Sequence, residues 1–600
     1  MKCSKLGTYF EKIENTTSRL EITYILADLF KELTVSEIEH VSYLLQGRIV
    51  PLFVKADFGM AEKMIVKAAV SALQLDQSDF TKKLKTIGDI GKTVEFYKKE
   101  YSSFEEKDLT VDELYESLKK ITEANGPGSQ EMKIQLLSLI IRQIDPLAAR
   151  YIARMPAGAM RLGFSDMTML DGLSWMVKGD KSLRPVIEQA YHVRPDLGFI
   201  ASELKKHGEK GVSNIKPEVF TPIIMMRAER LSSGQEIVDK IGKSIIESKY
   251  DGFRLQIHAH KKGHKHEVKL YSRGLEDVSY MYPDLIEGVI KEVRAESVIM
   301  EGEALGFDPQ TVSFLPFQET VQRKRKHGIE EMAKEIPLKL FAFELLYLDG
   351  KSYIKEPFSE RRKALEKAVK LSGNVADDTI ILSPEVTTDD PKKIELLFDD
   401  AITRGLEGIV AKKMDGVYQP GARGWYWIKV KRSYSSKIED TIDCVVMGYD
   451  AGKGKRTAFG IGAFLVGVYD EKEDKYLTVA KIGTGLSDDE WRELKIKGDK
   501  FKSDKQPALY VVDKMMNVDV WVKPTIVVEI KADELTRSTV HTAGRVMKES
   551  KSGTLSDVEV PGYALRFPRL VQFRKDKRPE DSTSLKEIEE MFKDQKTAKG

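Results

Sequence analysis

Cysteine is nearly absent. Cys3 and Cys444 are the only two in 600 residues. That excludes a disulfide scaffold and a four-cysteine zinc site, and it fits a reducing compartment. No apolar run approaches the length of a membrane span. The start, Met1-Lys2-Cys3-Ser4-Lys5, lacks the apolar core of a signal peptide. A soluble intracellular protein with no membrane partner is expected. A strong net charge is missing too, with 96 basic residues against 94 acidic ones. Any nucleic-acid surface must therefore come from local segregation of Lys and Arg. Internal repeats and low-complexity segments are absent as well.

What is present suits a large globular chain. Its length is too great for one core, so about three domains are expected. The hydrophobic fraction is 41% and the charged fraction 32%. Up to about Lys216 apolar residues recur at three-to-four spacing, as in Leu20, Tyr24, Leu26, Leu29, Phe30 and Leu33. That spacing predicts helices, broken at Gly47, at Gly126-Pro127-Gly128-Ser129 and at Gly158. Near Pro217 the texture changes to short alternating strands mixed with helices, until about Tyr434. A boundary is expected around Ser435-Ser436-Lys437. Beyond it lie Cys444–Tyr449, Ala463–Tyr469 and Thr525–Ile530, runs that suit a small Greek-key barrel. The tail Leu585–Phe592 has a helical pattern. The expected fold class is multidomain: an all-α segment 1–216, an α+β segment 217–436 and an all-β segment 437–600.

The most informative segment is Lys249-Tyr250-Asp251-Gly252-Phe253-Arg254, which reads KxDGxR. A lysine that attacks phosphorus must first be neutral, and neighbouring cations or a metal favour that state. Arg254, Lys412, Lys429 and Lys431 are the candidate cationic company. Gly252 permits a tight turn or a close approach of backbone to phosphate. Two carboxylate segments follow: Glu301-Gly302-Glu303 after an apolar strand, and Glu407-Gly408 leading into another. Either glutamate alone is more often a solvated strand end. Phosphoryl-type transfer, however, needs hard oxygen ligands for Mg²⁺ and cations for phosphate oxygens. In Arg423–Lys431, strand alternation sets Lys429 and Lys431 on one face. The run Arg574-Lys575-Asp576-Lys577 closes the series.

In this order the motifs resemble those of ATP-dependent DNA ligases of the archaeal and eukaryotic type, within the lysine nucleotidyltransferases. The likeness spans nearly all of the chain. It implies a helical DNA-binding domain, a nucleotidyltransferase core and a C-terminal OB-fold. It implies ATP and Mg²⁺ as cofactors, nicked duplex DNA as partner, a sliding clamp as a further partner, and an intracellular monomer, cytoplasmic if the cell is archaeal. By resemblance Lys249 is the catalytic nucleophile. Glu247 and Phe343 serve the adenine. Arg254, Arg273, Glu303, Lys412, Arg423, Lys429 and Lys431 line the nucleotide pocket, and Glu303 and Glu407 hold the metal. Arg574 and Lys577 orient the leaving pyrophosphate. Arg154, Arg161 and Gly163 are carried over as DNA contacts, although by themselves they read as loop glycine and surface arginine.

Neighbouring families stay open at this point. RNA ligases and mRNA-capping guanylyltransferases share the lysine motif but tend to lack a long helical N-terminal segment. A non-catalytic nick-binding scaffold would not need the full set of acids and lysines. An NAD-dependent ligase is disfavoured because two cysteines cannot supply its usual zinc module. His258, His260, His264 and His266 lack a recognised zinc spacing and read as exposed residues flanking a hairpin tip at Lys261-Lys262-Gly263. Arg323-Lys324-Arg325-Lys326 reads as a nuclear signal or a DNA-facing stretch.

Overall fold

The computed structural model describes residues 1–600 except 101–106, 159, 264, 311–312, 316, 326, 405, 432–440, 453–459, 484–485, 550–554, 567 and 598–600. The expected boundary at Ser435-Ser436-Lys437, His264 and Lys326 lie outside the described residues. Met1–Val430 form one compact unit and Lys431–Gly600 a second.

The first unit begins with helices alone, from Cys3–Glu14 to Glu209–Ser213 among the described residues. Arg19–Glu32 shows how the pattern works. Ser18 caps it by accepting from the Glu21 backbone N–H at 3.3 Å. Ile22, Leu26, Leu29 and Phe30 are buried, while Leu20 and Tyr24 stay on the outer face. The expected breaks hold: Gly47, Gly126, Gly128 and Gly158 all adopt positive φ, the region glycine tolerates best.

A mixed core follows, with two sheets. The smaller runs in the order Arg227–Arg230, Arg423–Lys431, Gly408–Lys413, Ser244–Lys249, Glu385–Thr388. Helices Gly234–Ile241 and Pro391–Thr403 cover it through Ile237, Ile394 and Phe398, which pack with Ile246, Ile409, Ile428 and Val430. The larger sheet is built on Lys265–Ser272, Phe253–Lys262, Ser297–Asp308 and Leu338–Leu348. Helices Pro283–Glu292 and Phe358–Ala368 pack on it through Leu285, Val289 and Leu365. Ile299 and Leu346 of the larger sheet meet Trp427 of the smaller, with Ile223, Met226 and Tyr418. The hairpin tip at Lys261-Lys262-Gly263 is where expected, since Lys262 pairs with Lys265.

The second unit is strand-rich. Ile442–Asp450, Ala463–Asp470 and Lys475–Ile482 form an antiparallel meander, and Val527–Lys531 pairs with both Ile442–Asp450 and Arg569–Phe573. The helical tail is Leu585–Thr597. A further helix, Asp488–Lys500, was not anticipated among the β runs. Its signal is legible in retrospect as a capping box between Ser487 and Glu490, with acids at the first three helical positions.

Several ions are buried in the first unit. Arg361 grips Glu344 through two bonds of 2.7 and 2.9 Å, and neither side chain is exposed to solvent. Arg361 also donates to the carbonyls of Glu356 and Gly416, which ties helix Phe358–Ala368 to the loop before strand Arg423–Lys431. Replacing Arg361 by Met leaves Glu344 buried without its partner, and we expect a loss of about 3–5 kcal/mol. The double variant Arg361→Met with Glu344→Leu should regain much of that loss. Urea unfolding of wild type and both variants checks it; equal losses in the single and double variants would contradict the account.

Candidate nucleotide-transfer site

Lys249 is the last residue of strand Ser244–Lys249. After three intervening residues the chain enters the larger sheet at Phe253. Gly252 makes that transfer possible. A β-carbon on it would lie 2.2 Å from the carbonyl oxygen of Ala304. The glycine thus serves close approach to protein backbone, in addition to any role toward phosphate.

Two segments distant in sequence, those of Glu407 and Glu303, converge on Lys249. Gly408 pairs with Lys249 across the smaller sheet, and the backbone N–H of Glu407 donates to the Lys249 carbonyl at 3.0 Å. This register brings the Glu407 carboxylate onto the Lys249 ammonium as a direct ion pair. Strand Ser297–Asp308 supplies Glu303, opposite Arg254 in register. Glu303 accepts from the Gly252 backbone N–H at 3.2 Å. Burial drives its carboxyl up to about 7, against the pull of Lys249 and Arg254, and the nearby Glu407 adds to the rise. Lys249 therefore sits among two carboxylates and a turn that only glycine fits.

Arg254 donates to the Met226 carbonyl at 2.8 Å and to Glu301 at 2.7 Å. Glu301, fully buried, also accepts from Gln256 and from the Tyr418 hydroxyl, both at 2.9 Å. The Arg254 guanidinium lies 5.6 Å from the Phe343 ring centre and 5.3 Å from that of Trp427, within cation–π range. Arg273 and Arg423 are exposed near this cluster, and the parallel pairing of Arg227 with Arg423 adds a third guanidinium. Burial, then the charges of Arg254 and Arg227, push Arg273 below the usual arginine value. Such a group of cations suits phosphate oxygens. Lys429 and Lys431 are half-buried on one strand face while Ile428 and Val430 are buried on the other, as alternation predicts.

Lys412 is placed differently from the expectation. Rather than keeping company with Lys249, its ammonium is 1% exposed and donates to Glu247 and to the Phe343 carbonyl, both at 2.8 Å. Burial lowers its pKa and raises that of Glu247.

Other sequence-based assignments need correction. Arg154 is 1% exposed, and its guanidinium bonds both Glu14 and Asp89 at 2.8–3.0 Å. A group so enclosed is a core ion, not a phosphate contact. Arg161 and Gly163 remain on the surface, Arg161 held by Asp89 at 2.7 Å. His258 is buried instead of flanking the turn in solvent. It accepts from the Phe220 N–H at 2.9 Å, and burial pushes its imidazole down to about 3. Arg323 is buried on Asp284 at 2.8–2.9 Å, so it belongs to the core of the larger sheet's flank and not to a basic tract. Among the described residues, no group of three or more His, Cys, Asp or Glu gathers as a metal site.

Sequence reasoning missed Glu301 in its role as hub, along with Tyr418, Trp427 and Arg227. Glu301 stands in the acidic segment Glu301-Gly302-Glu303, but register sets Glu303 opposite Arg254, and only the folded chain shows that the guanidinium bonds Glu301.

In the strand-rich unit, Arg574 and Lys577 converge on Asp443. Arg574 reaches both its oxygens at 3.2 Å and Lys577 one of them at 2.6 Å. Arg574 is also bound by Asp576 at 2.7 and 2.9 Å.

Three family models match the chain. Residues 2–174 match the DNA ligase N terminus, 225–431 the ATP dependent DNA ligase domain, and 457–577 the ATP dependent DNA ligase C terminal region. The probable DNA ligase of Dictyoglomus turgidum is 45% identical over 600 residues, covering 100% of this chain and 99% of that protein. The DNA ligase of Hyperthermus butylicus is 39% identical over 616 residues, covering 99% and 98%. A solved structure named Pmar-Lig_PreS3 covers 95% of this chain and 99% of its own, with a TM-score of 0.52 and 16% identity. At that identity it shows a shared fold alone.

The Glu303 environment gives a test by pH. In the folded chain its carboxyl titrates at about 7, and unfolded at about 4.3. Between these values the native state keeps a proton that the unfolded state has shed. Its contribution to stability therefore falls as pH rises through that window. Glu303→Gln removes this dependence. Melting temperatures from pH 5 to pH 8 should show the variant gaining on wild type as pH increases. A constant difference across the range would mean that Glu303 is not held protonated.

Proposed function

The chain belongs to the ATP-dependent DNA ligases, and from that premise we propose that its Lys249 forms the covalent nucleotide intermediate by which it seals nicks in duplex DNA. The observation that carries this reading is the convergence of Glu407, Glu303 and the Gly252 turn on one strand-end ammonium. The Lys249 nitrogen gives up a proton, for which Glu407 is the adjacent acceptor, and attacks the α-phosphorus of ATP. The bond from that phosphorus to the bridging oxygen breaks, pyrophosphate leaves, and lysyl-AMP remains. AMP then passes to the 5′-phosphate at the nick as Lys249 leaves. The 3′-hydroxyl finally attacks that phosphate and expels AMP. Dividing the work through a covalent intermediate gives the 5′-phosphate a good leaving group.

Each neighbouring side chain has a part in this scheme. Glu247 reads the edge of the adenine and Phe343 its face. Arg254, Arg273 and Arg423, with Lys429 and Lys431, offset the charge of the phosphates. Glu303 and Glu407 are hard oxygen donors of the kind Mg²⁺ accepts alongside phosphate oxygens and water, and Mg²⁺ held there would stabilise charge on the transferring group. Arg574 and Lys577, carried on the strand-rich unit, bind the leaving pyrophosphate. The helical segment, with Arg161 and Gly163 on its surface, holds the duplex through its backbone.

Two experiments test these roles. Lys249→Ala should give no labelled adduct from α-labelled ATP, yet it should still seal a pre-adenylated nick at a residual rate. A normal adduct in this variant would end the assignment. Arg574→Ala with Lys577→Ala should slow adduct formation by about 100-fold or more, as loss of charged groups on a transferring phosphate does. Sealing of the pre-adenylated nick should change far less. Equal slowing of both reactions would show that the pair does not act on pyrophosphate.

A further inference from the structure

Lys412 touches both side chains that the proposed function sets against the base. Its ammonium donates to the Glu247 carboxylate and to the Phe343 backbone carbonyl, each at 2.8 Å. The ring centres of Phe343, Phe358 and Trp427 lie 4.9, 4.5 and 4.8 Å from its nitrogen. An ammonium enclosed by three rings and two oxygens has little freedom to turn. Lys412 and Glu247 stand on neighbouring antiparallel strands, Glu247 opposite Val410 and Lys412 opposite Ile245. The bond between them therefore runs diagonally across the sheet.

The consequence lies on Glu247. It is 4% exposed. Lys412 occupies its Oε1, and among the described residues no hydrogen bond reaches its Oε2. A carboxylate locked at one oxygen presents the other as a fixed acceptor with no donor capacity. The exocyclic amine of adenine can donate to such an oxygen. The carbonyl that guanine carries at the same place cannot, and meets it as one acceptor meeting another.

We propose that Lys412 is the positioning residue that sets nucleotide choice, by holding Glu247 as an obligate acceptor and fixing the Phe343 backbone beneath the base. It contacts no substrate atom itself. This inference rests on the reading that Glu247 faces the adenine edge. It goes beyond that reading by placing the origin of the selectivity in a side chain behind the pocket.

The test compares adduct formation from α-labelled ATP and α-labelled GTP in the full chain. Wild type, Lys412→Met and Glu247→Gln are assayed over a range of nucleotide concentrations, with melting temperatures measured on the same preparations. The methionine variant should lower the ratio of kcat/KM for ATP to that for GTP by about 10- to 100-fold, the range supplied by one charge-assisted hydrogen bond and its orientation. Most of the loss should fall in KM for ATP. A role limited to fold stability would lower both nucleotides together and leave the ratio unchanged, and that result overturns the proposal. If Glu247→Gln also keeps the wild-type ratio, the base-reading role of Glu247 itself fails. If the glutamine variant loses selectivity while the methionine variant keeps it, only the role of Lys412 fails. Should the methionine variant not fold, Lys412→Gln carries the test. It keeps a donor within reach of one partner only, and a ratio equal to wild type in that variant counts equally against the proposal.

Discussion

The approach of Gly252 to the backbone of Ala304 is the constraint on which the site depends. It lets one chain leave the smaller sheet at Lys249 and enter the larger at Phe253 with three residues between. Any β-carbon there would push the strands apart. The register of Arg254 with Glu303 and of Lys249 with Gly408 then follows from ordinary strand pairing. Three chemically distinct groups, an amine, a carboxylate and a guanidinium, are thereby fixed relative to one another by backbone geometry and not by side-chain adjustment. Pre-organisation of that kind is what group transfer demands of a protein.

Behind the site the structure favours satisfied ions over apolar filling. Glu301 takes three donors, Lys412 is shared by two acceptors, and Arg361 closes on Glu344. An unpaired ion in such a place would be severely destabilising. Each network therefore specifies one arrangement of the loops and strands it joins. The half-buried residues at the front of the pocket inherit their orientation from these fully buried partners.

Much of this was legible in the sequence, and the limits have physical causes. Helices were readable from apolar spacing because each buries a stripe, as Arg19–Glu32 does. The motif residues Lys249, Glu303 and Glu407 were findable because the chemistry of transfer restricts residue types, and the fold brings all three together. Arg154 and Arg323 were misread because sequence shows charge but not the carboxylates waiting for it. Glu14 and Asp89, which enclose Arg154, lie 140 and 65 positions away. His258 misled for the same reason, since one of its two partners is the Phe220 N–H on a separate segment. Helix Asp488–Lys500 was overlooked because its surroundings are β-rich, although its capping box was present. Long-range pairing, which the sequence does not display, accounts for the misread arginines and histidine, whereas the missed helix carried a local signal.

The buried pairs of the first unit have a consequence for behaviour on heating. Arg361 with Glu344 and Arg154 with Asp89 are removed from water, and Arg323 is buried against the partly exposed Asp284. Hydration of separated ions becomes less favourable as temperature rises, so the cost of keeping such pairs dry declines, while the gain per unit of apolar contact levels off. A core stabilised in this way loses less of its margin in hot surroundings than one filled with aliphatic side chains alone. The charges that make it intolerant of substitution are the same ones that suit it to high temperature.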